Sequence, residues 1–359
     1  MKITIDIRML YSSGIGIYIQ NVVLRLVRLR SKDSFCLLGK KGEAPDWAKG
    51  PAVQWVECHS PIYSLGQQWE LARKIPKDTD LLWVPHYDIP VFYGGKMLVT
   101  VHDLFHLAMG EFVGGFHRHL YAKFMFGRAV RKASAISVIS EFTKRELMRL
   151  TSAQPEKIQV IPLGVDLSFF ELRGKKESGA NPYLLYVGNI KPHKNLKRLL
   201  EAFKLLKDKL PHDLVLVGQK EGFITGDREV QKIAEGFGGR VRFTGKVSAE
   251  ELKGYYAQAE ALIFPSLYEG FGLPPLEAMA CGCPVAASNA ASIPEVCSNA
   301  ALYFDPYSPA DIAEKTLRLI RDKKLRNDLI QKGLKRAKEF SWDKCAAQTS
   351  ALMDKINLS

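Results

Sequence analysis

Residues 264–285 read FPSLYEGFGLPPLEAMACGCPV. Leu262–Phe264, just upstream and overlapping its start, is a short apolar run of strand type that stops at Pro265. A loop carrying Glu269-Gly270-Phe271-Gly272 follows. Pro274 and Pro275 suit the first turn of a helix, where a missing N–H is harmless. Glu277, Ala278, Met279 and Ala280 continue that helix, and Gly282 ends it before a second strand at Val285–Ala287. Strand, loop, helix and strand in this order are the unit of a parallel sheet covered by helices.

The same alternation extends in both directions. Strands are expected at Ile3–Ile7, Phe35–Leu38, Val53–Val56, Leu81–Val84, Met97–Val101, Ala135–Ile139 and Ile158–Ile161. A second series is expected at Leu184–Val187, Leu214–Val217, Val241–Phe243, Leu262–Phe264 and Val285–Ala287. The segments between them are long enough for helices, for example Tyr18–Arg30, Leu196–Leu210 and Ala310–Phe340. Residues 171–182, ELRGKKESGANP, are polar, hold two glycines and a proline, and lack an apolar period, so they read as a linker. The expectation is an α/β chain with two doubly wound domains of similar size, in which ligands sit at the carboxyl ends of strands and in the cleft between domains.

Two carboxylates, Glu269 and Glu277, stand eight residues apart around a glycine-flanked helix N-terminus. Free N–H groups and the positive end of the helix dipole suit a diphosphate. A carboxylate accepts hydrogen bonds only and can bridge a vicinal diol, which suits a sugar at Glu269 and a ribose at Glu277 in the first helical turn. The plainer alternative is that Glu277 complements the dipole, worth about 0.3–1 kcal/mol, and that Glu269 is a solvated loop residue. Near the N-terminus, Ile3–Ile7 leads into Ser12-Ser13-Gly14-Ile15-Gly16 and a helix. Gly14 and Gly16 either approach a phosphate or form only a tight strand–helix turn. The dinucleotide fingerprint fails, because its third glycine would be Ile19 and its acidic residue is replaced by Gly39-Lys40-Lys41.

Composition excludes several classes. The chain has 359 residues, 47% hydrophobic and 25% charged, which is ordinary for a globular protein and too apolar for disorder. No apolar run approaches the ~20 residues of a membrane-spanning helix. The six cysteines, Cys36, Cys58, Cys281, Cys283, Cys297 and Cys345, lack paired metal spacing. Asp6 and Arg8 interrupt any signal-peptide core, so a cytoplasmic location with reduced thiols is expected. The net charge of +13 invites nucleic acid, an anionic membrane or a phosphorylated ligand. The excess is spread over both halves, and no nucleic-acid module is present, so no nucleic-acid partner is expected. Residues 112–132, FVGGFHRHLYAKFMFGRAVRK, mix aromatic and basic residues as a peripheral helix on anionic lipid does, and as a core-packed helix with a solvated basic face also does.

With these segments in hand, the chain resembles the retaining, nucleotide-sugar-dependent glycosyltransferases of family 4 (glycosyl transferases group 1). The resemblance lies in the Glu-x7-Glu pair of EGFGLPPLEAMACGCPV and in an ordered set along nearly the whole chain: SGIGIYIQNV, TVHDLFH, ISVISEFTKREL, VIPLGVD, YVGNIKPHKNLKRLLEAF and ASIPEV. It implies the GT-B fold of two facing Rossmann-like domains. Residues 1–172 would form the acceptor domain, with 341–359 packing back on it, and 173–340 the donor domain. It implies a hexosyltransferase of polysaccharide or lipopolysaccharide biosynthesis, moving a hexose from a nucleotide-diphosphate sugar to a glycan or lipid-linked hydroxyl with retention. GDP-mannose is the favoured donor, because KPHKN and EGFGLPPLE look most like mannosyl- and rhamnosyltransferase relatives. The alternatives are a sugar-nucleotide epimerase on the same fold and a basic nucleic-acid-binding protein.

The resemblance also implies roles. Glu269 holds the donor sugar hydroxyls, Glu277 the ribose, and backbone groups of Gly270, Phe271, Gly272 and Leu273 face the sugar and diphosphate. Lys194 matches the family's phosphate-clamping lysine; its fixed charge offsets charge building on the leaving diphosphate. Gly14, Gly16, Gly188, Asn189 and Lys191 complete the donor side. Many members carry Arg where this chain has Asn189 or His193, and Arg where it has Ile17; Lys191 can substitute, but as a point charge without the bidentate fork. His102 contacts the donor sugar near the reaction centre, the alternative being a strand-end histidine bonded to Asp103. Asp103 and His86 lie toward the acceptor. Asp78-Thr79-Asp80 precedes its strand rather than ending one, so a metal-independent, cofactor-free enzyme is expected.

Overall fold

The computed structural model describes residues 1–110, 115–172, 181–218 and 228–358. The first strand, β1 (Lys2–Asp6), is buried at every residue but Lys2. It lies between two parallel neighbours, β2 (Ser34–Lys40) and β4 (Leu81–Val84), with Ile3 opposite Phe35 on one side and Leu81 on the other. A parallel sheet covered on both faces leaves its central strands no solvated side: β4 and β5 (Met97–Val101) are buried throughout and apolar but for Thr100, and even the polar Thr4 and Asp6 of β1 are buried. With β3 (Val53–Cys58), β6 (Ala135–Val138) and β7 (Ile158–Val160) they form a seven-stranded parallel sheet ordered β3-β2-β1-β4-β5-β6-β7.

The second sheet repeats the plan with β8 (Tyr183–Val187), β9 (Asp213–Val217), β10 (Val241–Gly245), β11 (Ala261–Phe264), β12 (Val285–Ser288) and β13 (Ala301–Phe304). Its order is β10-β9-β8-β11-β12-β13, and every pair is parallel. In both sheets the strand order reverses beside the first strand, between β1 and β4 and between β8 and β11. The carboxyl ends at such a reversal open a crevice where ligands bind.

The chain divides into two compact units, Met1–Gly164 with Ser341–Ser359 and Val165–Phe340. The C-terminal helix Trp342–Leu358 belongs to the first unit. It packs on helix Ser13–Leu29, where Arg25 Nε meets Asp343 Oδ1 at 2.7 Å and Arg30 Nη2 meets Asp354 Oδ1 at 2.8 Å. Gly164 allows this return: a Cβ there would stand 2.1 Å from the backbone nitrogen of Trp342. Leu167–Leu172, the last residues of the expected first domain 1–172, fall instead in the second unit, where Phe169 is buried against the Tyr256 ring. Residues 173–180 of the expected linker lie outside the described residues.

Twelve strands follow the expected series to within one or two residues. The thirteenth, β13, was not expected, since a four-residue run with two half-buried members has little pattern. The long helical segment 310–340 is two helices, Pro309–Arg321 and Lys323–Ala337. Asp322 breaks it: its side chain accepts the Leu325 N–H at 2.9 Å and caps the second helix. All six cysteines are buried free thiols. No helix among the described residues is long and apolar enough to cross a membrane.

Candidate active site

At the β8–β11 reversal, two loops are stapled together. After β8, the chain passes Gly188 and Asn189 into a short 3-10 turn, Pro192–Lys194. Asn195 follows in the left-handed conformation (φ +62°), and its Nδ2 donates to the carbonyls of Pro265 (3.0 Å) and Pro306 (2.7 Å). The Leu267 N–H donates to the His193 carbonyl at 2.8 Å. These bonds tie KPHKN to the loop after β11 and bring Lys194 Nζ to 2.6 Å from Glu269 Oε1. The two side chains are 18% and 14% exposed, so each still reaches solvent and a ligand. Gly188 and Gly218 approach so closely that a Cβ on Gly218 would stand 2.0 Å from the Gly188 carbonyl oxygen.

The EGFG loop is held from below. Ser292 is fully buried, and its hydroxyl lies 2.9 Å from both the Glu269 and the Phe271 carbonyl oxygens. The Phe271 ring packs edge-on against Phe340, so its side chain belongs to the core and only its backbone is left for a ligand. Gly272 takes φ +107° and opens helix Leu273–Ala280.

Two expectations about this helix are corrected. Its N-terminus is a poorer anion cradle than expected, because Pro274 and Pro275 occupy the second and third helical positions and carry no N–H; Leu273 alone donates among the first three. And Glu277 is the fifth helical residue, not part of the first turn, which holds no acid. Dipole complementation falls off within that turn, so it does not explain Glu277. Glu277 is instead buried, with Oε2 accepting a 2.8 Å hydrogen bond from the Tyr256 hydroxyl. Burial pushes its carboxyl up to about 7, only partly countered by that bond.

In the first unit, Gly14 has open space around its α-carbon, whereas a Cβ on Gly16 would stand 2.5 Å from the Leu10 carbonyl oxygen. Gly16 is therefore required by a tight turn. His102 follows β5, with Nε2 3.0 Å from the Pro85 carbonyl and its ring edge-on to Tyr18, centroids 4.9 Å apart. A carbonyl can only accept, so Nε2 carries the proton and Nδ1 is the acceptor. Burial lowers the ring to about 4 despite neighbouring Asp103. His102 is not bonded to Asp103, whose Oδ1 accepts the Phe105 N–H at 3.0 Å. His86 is fully buried, with Nε2 3.3 Å from Asp6 Oδ2. Asp6 in turn takes hydrogen bonds from Arg8 Nε (2.8 Å) and Nη2 (2.6 Å). Burial opposes the charge on Asp6, but Arg8 and then His86 hold its carboxyl well below the usual carboxylate range. Asp78 and Asp80 are engaged by the side chain and the N–H of Lys2.

The structure thus joins Lys194 with Glu269 and places Glu277 on the helix that the Glu269 loop enters. It also ties His102 to the segment that carries His86. Sequence reasoning missed Tyr256, Ser292 and Asn195. Ser292 lies in the quoted ASIPEV segment, but nothing in its spacing points to the carbonyls it holds.

Residues 12–169 match the family described as Glycosyltransferase Family 4, and residues 168–336 the family described as Glycosyl transferases group 1. O-antigen chain mannosyltransferase B of Escherichia coli is 31% identical over 266 residues, covering 71% of this chain and 69% of that protein. O-antigen chain mannosyltransferase RfbU of Salmonella typhimurium is 31% identical over 247 residues, covering 68% of this chain and 67% of that protein. Among solved structures, sucrose-phosphate synthase (tll1590) from Thermosynechococcus elongatus shares the fold, with a TM-score of 0.80 at 21% identity over 99% of each chain. Two parallel-sheet units with the strand orders described, carrying two matched families almost end to end, place the chain: it belongs to glycosyltransferase family 4 and the glycosyl transferases group 1, and is a glycosyltransferase of the GT-B fold.

Proposed function

We propose that this enzyme transfers a mannosyl group from GDP-mannose to a hydroxyl of a glycan or lipid-linked acceptor, with retention at the anomeric carbon. The observation that carries the donor site is the Lys194–Glu269 pair at the β8–β11 reversal. A nucleotide-diphosphate sugar offers each partner a replacement. The diphosphate takes Lys194, and sugar hydroxyls take Glu269, so charge leaving on the diphosphate is met by a cation already in place. Glu277 takes the ribose diol through Oε1, since Tyr256 occupies Oε2. Backbone groups of Gly188, Asn189 and Gly270–Leu273, with Lys191, complete the donor contacts. His102, neutral and with Nδ1 as acceptor, receives a sugar hydroxyl. Mannose is supported by the two O-antigen mannosyltransferases that this chain resembles. Retention is supported by the Glu-x7-Glu string. The acceptor hydroxyl attacks the anomeric carbon as the diphosphate leaves from the same face. No side chain becomes a covalent nucleophile, and the protein acts by positioning and charge stabilisation.

The first unit is the acceptor unit in this reading, and its helix Phe116–Lys132 rests on anionic lipid at the inner face of the membrane. The helix exposes Leu120 and Phe124, each 55%, beside Arg118, Lys123 and Arg131, and has no acidic residue. Residues 112–114 of that basic stretch lie outside the described residues.

The test is thermal stabilisation by GDP, UDP, dTDP and ADP and their sugars, on the wild type and Glu277→Ala. A nucleotide at 100 times its dissociation constant adds about 2.7 kcal/mol. The expected result is stabilisation by GDP-mannose in the wild type and its loss in the variant. Stabilisation by another base replaces the donor assignment, and stabilisation by RNA alone overturns the donor site.

A further inference from the structure

We infer that Tyr63 is the outer ring of an aromatic platform on the first unit that stacks against a pyranose ring of the acceptor glycan, a proposal resting on the glycan-acceptor reading above. Tyr63 has φ +65°, a left-handed backbone that a side chain with a Cβ rarely adopts. No glycine is used there, so the ring is kept at the expense of backbone comfort. Its backbone is held by a buried carboxylate. The Tyr63 N–H donates to Asp88 Oδ2 at 3.0 Å, and Asp88 is completely buried. Asp88 is itself fixed by Gln67 Nε2 on Oδ2 (2.5 Å) and by the Tyr121 hydroxyl on Oδ1 (2.7 Å). Strain held in place by its surroundings is the pattern of a site rather than of a loose turn.

The rings are ordered outward from the core. Phe126 is fully buried; Tyr87 stacks on it with centroids 4.2 Å apart and planes at 16°. Tyr63 stacks next, 5.8 Å from Tyr87 and at 30°, and is 43% exposed. Tyr121 meets Tyr63 edge-on at 6.3 Å and fixes its orientation. Tyr63 and Tyr87 follow the carboxyl ends of β3 and β4, the edge of the sheet where ligands bind and where His102 follows β5. A stack of aromatic rings that ends at a rigid, half-exposed tyrosine offers a flat apolar face with polar groups at its rim. The C–H face of a pyranose, ringed by hydroxyls, is the complement of that surface.

The experiment is saturation-transfer NMR with methyl α-mannopyranoside and a linear α-mannotriose on the wild type, Tyr63→Phe and Tyr63→Gly. Glycine accepts positive φ without strain, so Tyr63→Gly keeps the fold and removes only the ring. The expected result is strong transfer to ring C–H protons in the wild type and in Tyr63→Phe, with at least a fivefold loss in Tyr63→Gly. Equal transfer in all three, or no saccharide transfer in the wild type, overturns the platform; transfer to a nucleotide base that needs Tyr63 overturns it in favour of a base-stacking site. Nucleotide-induced stabilisation is measured on the same samples. If it persists while saccharide transfer ignores Tyr63, this proposal fails and the donor reading stands. If it is absent from the wild type, the donor reading fails.

Discussion

Lys194 Nζ and Glu269 Oε1 lie 2.6 Å apart, on loops from two different strands, β8 and β11. Each is the other's counterion, and in the proposed function a donor replaces both. Lys194→Met should therefore weaken nucleoside diphosphate binding about tenfold or more, and lower kcat by about 10²–10³, the size of losing one preorganised donor. Glu269→Gln should leave nucleoside diphosphate binding nearly intact while the sugar nucleotide loses affinity. Titration calorimetry with GDP and GDP-mannose separates the two. Equal losses for both ligands in both variants would show that the pair is structural only.

The buried carboxyl of Glu277 makes stability fall with rising pH. Its ordinary value is 4.5, and the folded state raises it to about 7 by burial. The folded protein thus binds the proton more tightly than the unfolded chain. Its contribution is most favourable below about pH 4.5 and is lost progressively up to about pH 7, by about 3 kcal/mol in all. Glu277→Gln should remove this loss, so the difference in unfolding free energy between wild type and variant should change by that amount between pH 4.5 and 7.5. A flat difference across this window would refute the raised value. If the ionised form holds the ribose, nucleotide affinity should also fall about fivefold from pH 7 to pH 6 in the wild type alone.

Tyr256 is expected to act through Glu277. Tyr256→Phe deletes the one side-chain hydrogen bond seen at the Glu277 carboxyl among the described residues and should destabilise by about 1–3 kcal/mol. It should also move the pH dependence of nucleotide binding upward, since a carboxylate without a donor is harder to ionise in a buried site. An unchanged pH profile would reduce Tyr256 to a packing residue.

The single Ser292 hydroxyl proton is shared between two carbonyls of the EGFG loop, each 2.9 Å from Oγ. Ser292→Ala should cost about 1–3 kcal/mol in urea unfolding and raise KM for the donor more than it lowers kcat, because it loosens the loop without touching the reacting atoms. Ser292→Thr, which keeps the hydroxyl, should restore part of both. A donor KM identical to wild type in Ser292→Ala would separate this bond from the site.

The Asp6–Arg8 pair is buried on both sides, at 1% exposure each. Arg8→Met removes both guanidinium bonds from buried Asp6, leaving His86 at 3.3 Å as its one remaining side-chain partner among the described residues, and strips Gln67 Oε1 of its 2.9 Å donor. The expected loss is about 3–5 kcal/mol in the unfolding of the first unit. A loss below about 1 kcal/mol would mean that His86 alone balances Asp6.

Local sequence determined much of this protein. The strand runs and their parallel pairing class follow from apolar stretches too short and too continuous for anything but buried strands, and the turns follow from glycine and proline, which act on their own backbone. Glu269, Glu277 and Lys194 were legible as types at a spacing. Their partners were not. Tyr256 is 21 residues from Glu277, Asn195 is 70 and 111 residues from the two carbonyls it holds, and Asp88 is 25 from the tyrosine it fixes. Such bonds leave no period in the chain, because hydrogen bonding between loops depends on which strand ends the sheet order brings together. The same holds for the environment of a charge. Sequence named Glu277 as a carboxylate beside a helix start, but burial and one phenol decide its protonation, and burial exists only once the chain has folded around it.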